Sequence, residues 1–321
     1  MPLIKSDYIP KWWLRNGHLN TLYTYFCRTQ QKATYKRERW ETLDNDFIDL
    51  DFVRGNNQKL AILSHGLEGG SDSQYIMSIS NLLSLEGYDI CALNYRSCSG
   101  EMNRTMTMYH SGFTMDLNMV VNKLAKDYEE IHLIGYSLGG NMNLKYTTDG
   151  EYPIHSKIKS VVSVSAPIDL AGSSKRISSW YNYQYQYNFL QSLNAKMRIK
   201  ATIHPEYIDI NDIKKVKTLI DFDEYFTGPL HGFDGAHDYY RNCNALQYLE
   251  AVTLPTLLIS SEDDPFLTKD CIPKKIAKSS KDIHLIATKY GGHVGFTTFG
   301  SDYNWLDYKI LEFIRSFDMK N

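Results

Sequence analysis

Short apolar runs and longer amphipathic stretches alternate along most of the chain. Leu60–Ser64 (LAILS), Asp89–Asn94 (DICALN), Ile131–Tyr136 (IHLIGY), Ser160–Ser165 (SVVSVS), Thr256–Ser260 (TLLIS) and Ile283–Ala287 (IHLIA) are short and nearly continuous in apolar character. Strands buried on both faces of a parallel sheet have this pattern, because helices cover them above and below. Between them, Ser73–Leu85, Asp116–Tyr128, Ala236–Leu249 and Trp305–Phe317 place apolar residues at helical spacing. In the last of these, Trp305, Ile310, Phe313 and Ile314 share one face. Ahead of the alternation, Trp40–Leu43 and Phe47–Val53, separated by Asp-Asn-Asp, predict an antiparallel hairpin that opens the sheet. The expected fold is α/β, a mostly parallel central sheet flanked by helices, with ligands at the carboxyl ends of the strands.

The rhythm stops between Pro167 and Leu254, where no strand follows in the place of the next unit. That interval holds the tyrosine cluster Trp180–Phe189 (WYNYQYQYNF) and a charged piece, Ile208–Ile220, read as helical. A structureless loop of that length is foreign to a compact domain. Residues 168–235 are therefore read as an inserted helical cap, and residues 1–167 and 236–321 as the core.

Composition narrows the class. The chain has 321 residues, 43% of them hydrophobic, which supplies a core and excludes disorder as the main state. With 35 Lys+Arg against 37 Asp+Glu, no basic excess argues for nucleic acid. No apolar run approaches the roughly 18 residues of a membrane span, so no integral membrane segment is expected. The opening MPLIKSDYIPKWW lacks the pattern of a signal peptide. Cys27, Cys91, Cys98, Cys243 and Cys271 are odd in number and form no C-x-x-C, which suits reduced thiols and a cytoplasmic location.

Gly135-Tyr136-Ser137-Leu138-Gly139 matches G-x-S-x-G directly after the apolar run IHLIGY and before a helix-compatible segment. This is the strand–turn–helix setting of a nucleophile elbow, in which a serine hydroxyl stands clear of the sheet. The following N–H, at Leu138, then opens a helix and points toward developing negative charge. A second glycine-rich turn, His65-Gly66-Leu67-Glu68-Gly69-Gly70, ends the strand LAILS and offers the Leu67 N–H as the partner oxyanion donor. The His65 side chain is read as a structural turn residue.

A serine hydroxyl needs a base, and the base needs an orienting carboxylate. His293, in Gly291-Gly292-His293-Val294-Gly295, is the candidate base, since flanking glycines leave its ring uncrowded. Ser261-Glu262-Asp263-Asp264-Pro265 ends a strand with an acidic cluster. Asp264 is chosen as the acid, Asp263 is the alternative, and Glu262 is read as solvated. His231, Asp234, His237 and Asp238 are metal-ligand types without rigid spacing, so no metal is assigned there. Cys98 lacks a base of its own, which argues against a thiol nucleophile. No cofactor is implied.

Taken in order, NGHLNT (residues 16–21), HGLEGGSDSQY, NYRSCSGEMN, YHSGFTMDL, GYSLGGNMNLKY, FTGPLHG, SSEDDPFL and GGHVGF resemble the YheT-type α/β-hydrolases. The resemblance runs from about residue 8 to the C-terminus. It implies the α/β-hydrolase fold, carboxylic-ester hydrolysis, a triad of Ser137, Asp264 and His293, and oxyanion donors at Leu67 and Leu138. Similar proteins act on monoacylglycerols, phospholipids or medium-chain ethyl esters. Two departures stand out. Ser97 occupies a place where the family usually has glycine, and the N-terminal membrane anchor of eukaryotic members has no counterpart here. Arg96, His110 and His18 are read as supports for loops. The expected partner is a small-molecule ester of short to medium acyl length or lipid-like character, and the oligomeric state stays open. Two alternatives remain, an acyltransferase using the same triad and a non-catalytic binding scaffold.

Overall fold

A computed structural model describes residues 2–28 and 32–318. The chain begins with β1 (Leu3–Ile4) and α1 (Gly17–Cys27), followed by the hairpin β2 (Lys36–Glu41) and β3 (Phe47–Val53). The alternating part is β4 (Lys59–Ser64), α2 (Gln74–Leu85), β5 (Asp89–Asn94), α3 (Met115–Leu124), β6 (Glu130–Tyr136), α4 (Leu138–Thr148) and β7 (Ile158–Val164). A helical excursion follows: α5 (Leu170–Ile177), α6 (Tyr183–Ile203), α7 (Leu219–Phe222), α8 (Gly228–Leu230) and α9 (Gly235–Cys243). The sheet resumes with β8 (Thr256–Ser261), α10 (Lys274–Ser279), β9 (Ile283–Thr288) and α11 (Trp305–Arg315).

The nine strands form one sheet in the order β1-β9-β8-β7-β6-β4-β5-β3-β2. All neighbours are parallel except β2–β3 and β3–β5. Strands β4, β5, β6 and β8 are buried almost throughout, the condition that made them legible as apolar runs. Two apolar clusters cover the two faces of the sheet. One includes Leu117, Val121 and Leu144 beside Ile62 and Leu133. The other includes Ile79, Leu83, Ile310 and Ile314 beside Leu63 and Ile134.

The hairpin differs from expectation on its first strand, which runs Lys36–Glu41 rather than Trp40–Leu43. Leu43 lies 85% exposed in the turn. The strand is held by charge instead of apolar burial, because Arg37 and Arg39 face the buried Asp51 and Asp49 in register, at 2.7 and 2.8 Å. Ile208–Ile220 is not one helix but a 3-10 turn, Ile210–Lys214, and the single turn α7, which starts at a Thr218–Asp221 capping box. The stretch Ala236–Leu249 breaks at Asn244, whose backbone is extended. There the Asn141 side chain bonds both the Cys243 carbonyl and the Ala245 N–H, while Asn244 Oδ1 takes the Leu170 N–H. Those bonds replace continued helix.

Candidate active site

Strand β6 ends at Tyr136 and α4 begins at Leu138, so Ser137 alone makes the turn, with φ 52° and ψ −120°. A side chain in this left-handed region costs about 1–3 kcal/mol and persists only where its surroundings enforce it. Here they do. A Cβ on Gly135 would lie 2.3 Å from the Gly139 carbonyl oxygen, and one on Gly139 would lie 2.4 Å from that of Ser64. The two glycines of G-x-S-x-G thus allow backbone to touch backbone on both sides of the serine. The Ser137 N–H is tied to the Val164 carbonyl at 2.8 Å. Leu138 is the first residue of α4, so its N–H has no acceptor within the helix.

His293 sits in the loop after β9. Its Nε2 is 2.9 Å from Ser137 Oγ and its Nδ1 is 2.9 Å from Asp264 Oδ2. With Nδ1–H donating to the carboxylate, Nε2 is left to accept from the hydroxyl. The other oxygen, Asp264 Oδ1, accepts the Phe266 N–H at 2.8 Å, and the Asp264 side chain is only 1% exposed. Asp263 faces elsewhere. Its Oδ1 accepts the Gly292 N–H at 2.9 Å, and burial pushes its carboxyl above the usual range. Glu262 lies at the surface beside Lys274.

Four residues absent from the sequence reading of the site hold the histidine loop. Thr21 Oγ1 accepts the His293 N–H at 2.8 Å, Asn20 Oδ1 the Thr297 N–H at 3.2 Å, and Ser165 Oγ the Val294 N–H at 3.1 Å. Ser261 Oγ donates to the Gly292 carbonyl at 2.9 Å. Val294 and Phe296 both have positive φ, at 56° and 44°, so the loop is strained and these bonds fix it. For Asn20 and Thr21 the signal available in the sequence was the segment NGHLNT, which carries likeness and not contact.

On the opposite side, β4 runs into the turn carrying Leu67. His65 is fully buried, its Nδ1–H donating to the Gly66 carbonyl at 2.7 Å and its Nε2 accepting the Tyr95 N–H at 3.2 Å. Burial pushes its pKa down to about 3, so it stays neutral. A Cβ on Gly66 would lie 3.2 Å from Ser137 Cβ, which brings the turn against the serine. Glu68, at φ 55°, gives its N–H to Tyr109 Oη at 2.7 Å, and its carboxylate accepts from Lys196 Nζ of α6 at 2.8 Å. Leu67 and Leu138 line one cavity with Ser137 and His293. Its volume is about 1220 Å³ and its wall is mainly apolar, from Phe189, Leu193 and Phe266 among others.

The remaining candidates are held by structural bonds. Arg96 is buried in ion pairs with Asp44 at 2.6 Å and Asp116 at 2.8 Å, and His110 Nδ1 accepts the Gly112 N–H at 3.1 Å. His18 stacks on Tyr185 of α6. His231 Nδ1 donates to the Thr227 carbonyl at 2.8 Å, and Asp238 takes the Asp234 N–H at 3.2 Å. Burial pushes the Cys98 thiol up to about 12. Among the described residues, one trio could supply metal ligands, Glu130, His132 and Asp318. It lies by the amino ends of β4 and β6, and Lys59 already sits 2.7 Å from the Asp318 carboxylate. An ammonium in that position does not fit a cation site.

Comparison with known proteins places the chain in a family. Residues 61–298 match the family described as alpha/beta hydrolase fold. The chain belongs to the α/β hydrolase family. It is 32% identical to the Escherichia coli protein YheT over 97% of this chain and 94% of that one. It is 27% identical to a monoacylglycerol lipase of Saccharomyces cerevisiae, over 98% of this chain and 68% of the relative. An esterase of Pyrococcus furiosus superposes with a TM-score of 0.62 at 20% identity, covering 90% of this chain and 96% of the esterase, which speaks to the α/β hydrolase fold. In this α/β hydrolase Ser97 has φ 64°, a conformation glycine adopts freely. Ser97 holds it through an Oγ–Asn103 Oδ1 hydrogen bond of 2.5 Å. Among the described residues, no helix is long and apolar enough to cross a membrane.

Proposed function

We propose that the chain is a serine hydrolase of carboxylic esters that works through an acyl-enzyme. The observation that carries this reading is the unbroken line Asp264–His293–Ser137, with both hydrogen bonds at 2.9 Å and the serine on a strained elbow. Ser137 Oγ attacks the acyl carbon while its proton passes to His293 Nε2. Asp264 holds the imidazole tautomer and favours the imidazolium, and the N–H groups of Leu67 and Leu138 receive the oxyanion. The tetrahedral adduct collapses as the C–O bond to the alcohol breaks, and His293 returns its proton to that alcohol. Water then repeats the sequence against the acyl carbon, releasing the acid and restoring Ser137.

Residues 168–235 act as a cap over the site in this reading. Helix α6 contributes Tyr185, Phe189 and Leu193 to the cavity wall, which suits an acyl chain of short to medium length or a lipid-like ester. Names borne by relatives agree in class, among them the yeast monoacylglycerol lipase and a human phospholipase 26% identical over 92% of this chain and 75% of its own. The test is covalent labelling with a fluorophosphonate read by intact mass. One adduct on the wild type and none on Ser137→Ala supports the reading. A folded wild type that takes up neither this probe nor a small sulfonyl fluoride overturns it.

A further inference from the structure

Besides Glu68 of the glycine-rich turn and the exposed Asp72, the described wall of the cavity holding Ser137 carries one carboxylate, Asp223. Asp223 directly follows α7, where it begins the π-turn Asp223–Thr227. Its neighbours in the wall include the apolar Leu219, Phe222 and Phe226. The side chain is enclosed by protein yet keeps some accessible surface, and the space it borders is this cavity.

Its bonds within the chain are neutral. Tyr240 Oη donates to Asp223 Oδ2 at 2.6 Å, and the nearby Thr227 hydroxyl favours the charged carboxylate. Among the described residues, no lysine, arginine or histidine forms an ion pair with it. His231, in the same wall, is already engaged by the Thr227 carbonyl and by Met108. Burial without a countercharge pushes the Asp223 carboxyl up to about 6. A carboxylate offers about four acceptor positions, and Tyr240 and Thr227 use at most two. Enclosing such a group is costly unless its remaining capacity is met. Among the described residues no further donor meets it, and the open side is the space a substrate would enter.

We propose that Asp223 is a substrate-selecting residue, and that the cavity takes esters whose acyl or alcohol chain carries a hydrogen-bond donor, a hydroxyl or a primary ammonium, in preference to plain alkyl esters. The inference rests on the reading of Ser137 as the acylated nucleophile and adds the class of ester to it. Asp223 takes no part in the chemical steps. It receives the donor, and chain length sets whether the ester carbon then reaches Ser137.

The experiment compares wild type, Asp223→Leu and Asp223→Asn on p-nitrophenyl alkanoates of graded length and their ω-hydroxy and ω-amino counterparts. A second series varies alkyl against hydroxyalkyl alcohols on one acyl group and so separates the two chains. A hydrogen bond to a charged group supports a preference of roughly tenfold or more in kcat/KM for one donor-bearing ester over its plain partner. Asp223→Leu should abolish or reverse that ratio while fluorophosphonate labelling of Ser137 is kept. Asp223→Asn should keep the hydroxyl preference and lose the ammonium preference, and it decides the matter if the leucine variant does not fold. Plain esters turned over as well as or better than donor-bearing ones throughout both series would overturn the proposal, as would a ratio unchanged in Asp223→Leu. If wild type turns over no ester and Ser137 takes no label, the catalytic reading fails by itself. The subsite is then read from thermal shifts with hexanol, 1,6-hexanediol and 6-amino-1-hexanol. An Asp223-dependent advantage for the diol or amino alcohol supports it, and equal shifts overturn it.

Discussion

Thr21 Oγ1 accepts the main-chain N–H of His293 at 2.8 Å, joining residues 272 positions apart in the chain. Thr21 Oγ1 itself donates to the Gly17 carbonyl at 2.7 Å, so its lone pair is aimed by α1. Removing the hydroxyl frees the backbone at the residue whose ring must meet Ser137. Thr21→Ala should lower kcat roughly tenfold, since small displacements of reacting groups are expensive, with KM little changed. It should cost about 1 kcal/mol of stability. Thr21→Ser should restore both, as steady-state kinetics and urea unfolding would reveal.

The two adjacent aspartates should separate cleanly. Asp264→Asn removes the charge that holds the His293 tautomer, and kcat should fall by about 10³–10⁴. In Asp263→Asn the amide oxygen still takes the Gly292 N–H, so activity should stay within about tenfold of wild type. Equal losses in the two variants, measured as kcat on one ester, would contradict the geometry.

Stability should fall as pH drops below neutrality. His65, held down to about 3, and His110, also lowered by burial, are neutral in the native protein and protonate only on unfolding. Between their ordinary value near 6.5 and the depressed native value, the unfolded state binds more protons, so stability declines with falling pH. Each such histidine contributes up to about 1.4 kcal/mol per pH unit. Asp223 and Asp307, both raised to about 6 by burial, act with the opposite sign between that value and 3.8. His65→Gln should therefore unfold with a shallower acid limb than wild type in urea melts from pH 7 to 4.5.

At Ser97 two effects oppose each other. Glycine would relieve the left-handed backbone, and it would also lose the bond to Asn103. Ser97→Gly should lie within about 1 kcal/mol of wild type by chemical denaturation. Ser97→Val keeps the strain, loses the bond and adds a branched Cβ, and should cost about 2 kcal/mol or more.

The parts of this molecule that read easily from sequence are those where local pattern and tertiary role coincide. Strands β4 to β9 lie inside the sheet, so continuous burial wrote itself as apolar runs. Ser137 and His293 announce themselves because their backbones need glycine nearby. Strand β2 was misplaced because it lies at the sheet edge and pairs through Arg37 and Arg39. The break at Asn244 depends on Asn141, a residue 103 positions earlier whose side chain carries no mark of its partner. Thr21, Asn20 and Ser165 were silent for the same reason, since one hydrogen bond between distant small polar residues leaves no periodicity. Choosing Asp264 over Asp263 rested on its place before Pro265, and in the structure it is Asp264 that faces His293.

The fastening of the histidine loop by α1 also sets an order of events during synthesis. Thr21 leaves the ribosome 272 positions ahead of His293, the residue whose N–H it holds. Until then Ser137 has neither His293 beside it nor the brace on that histidine. Under the proposed mechanism, a chain emerging from the tunnel can thus assemble most of its sheet while remaining chemically inert, and reactivity arrives only when residues 17–21 meet Gly292 and His293.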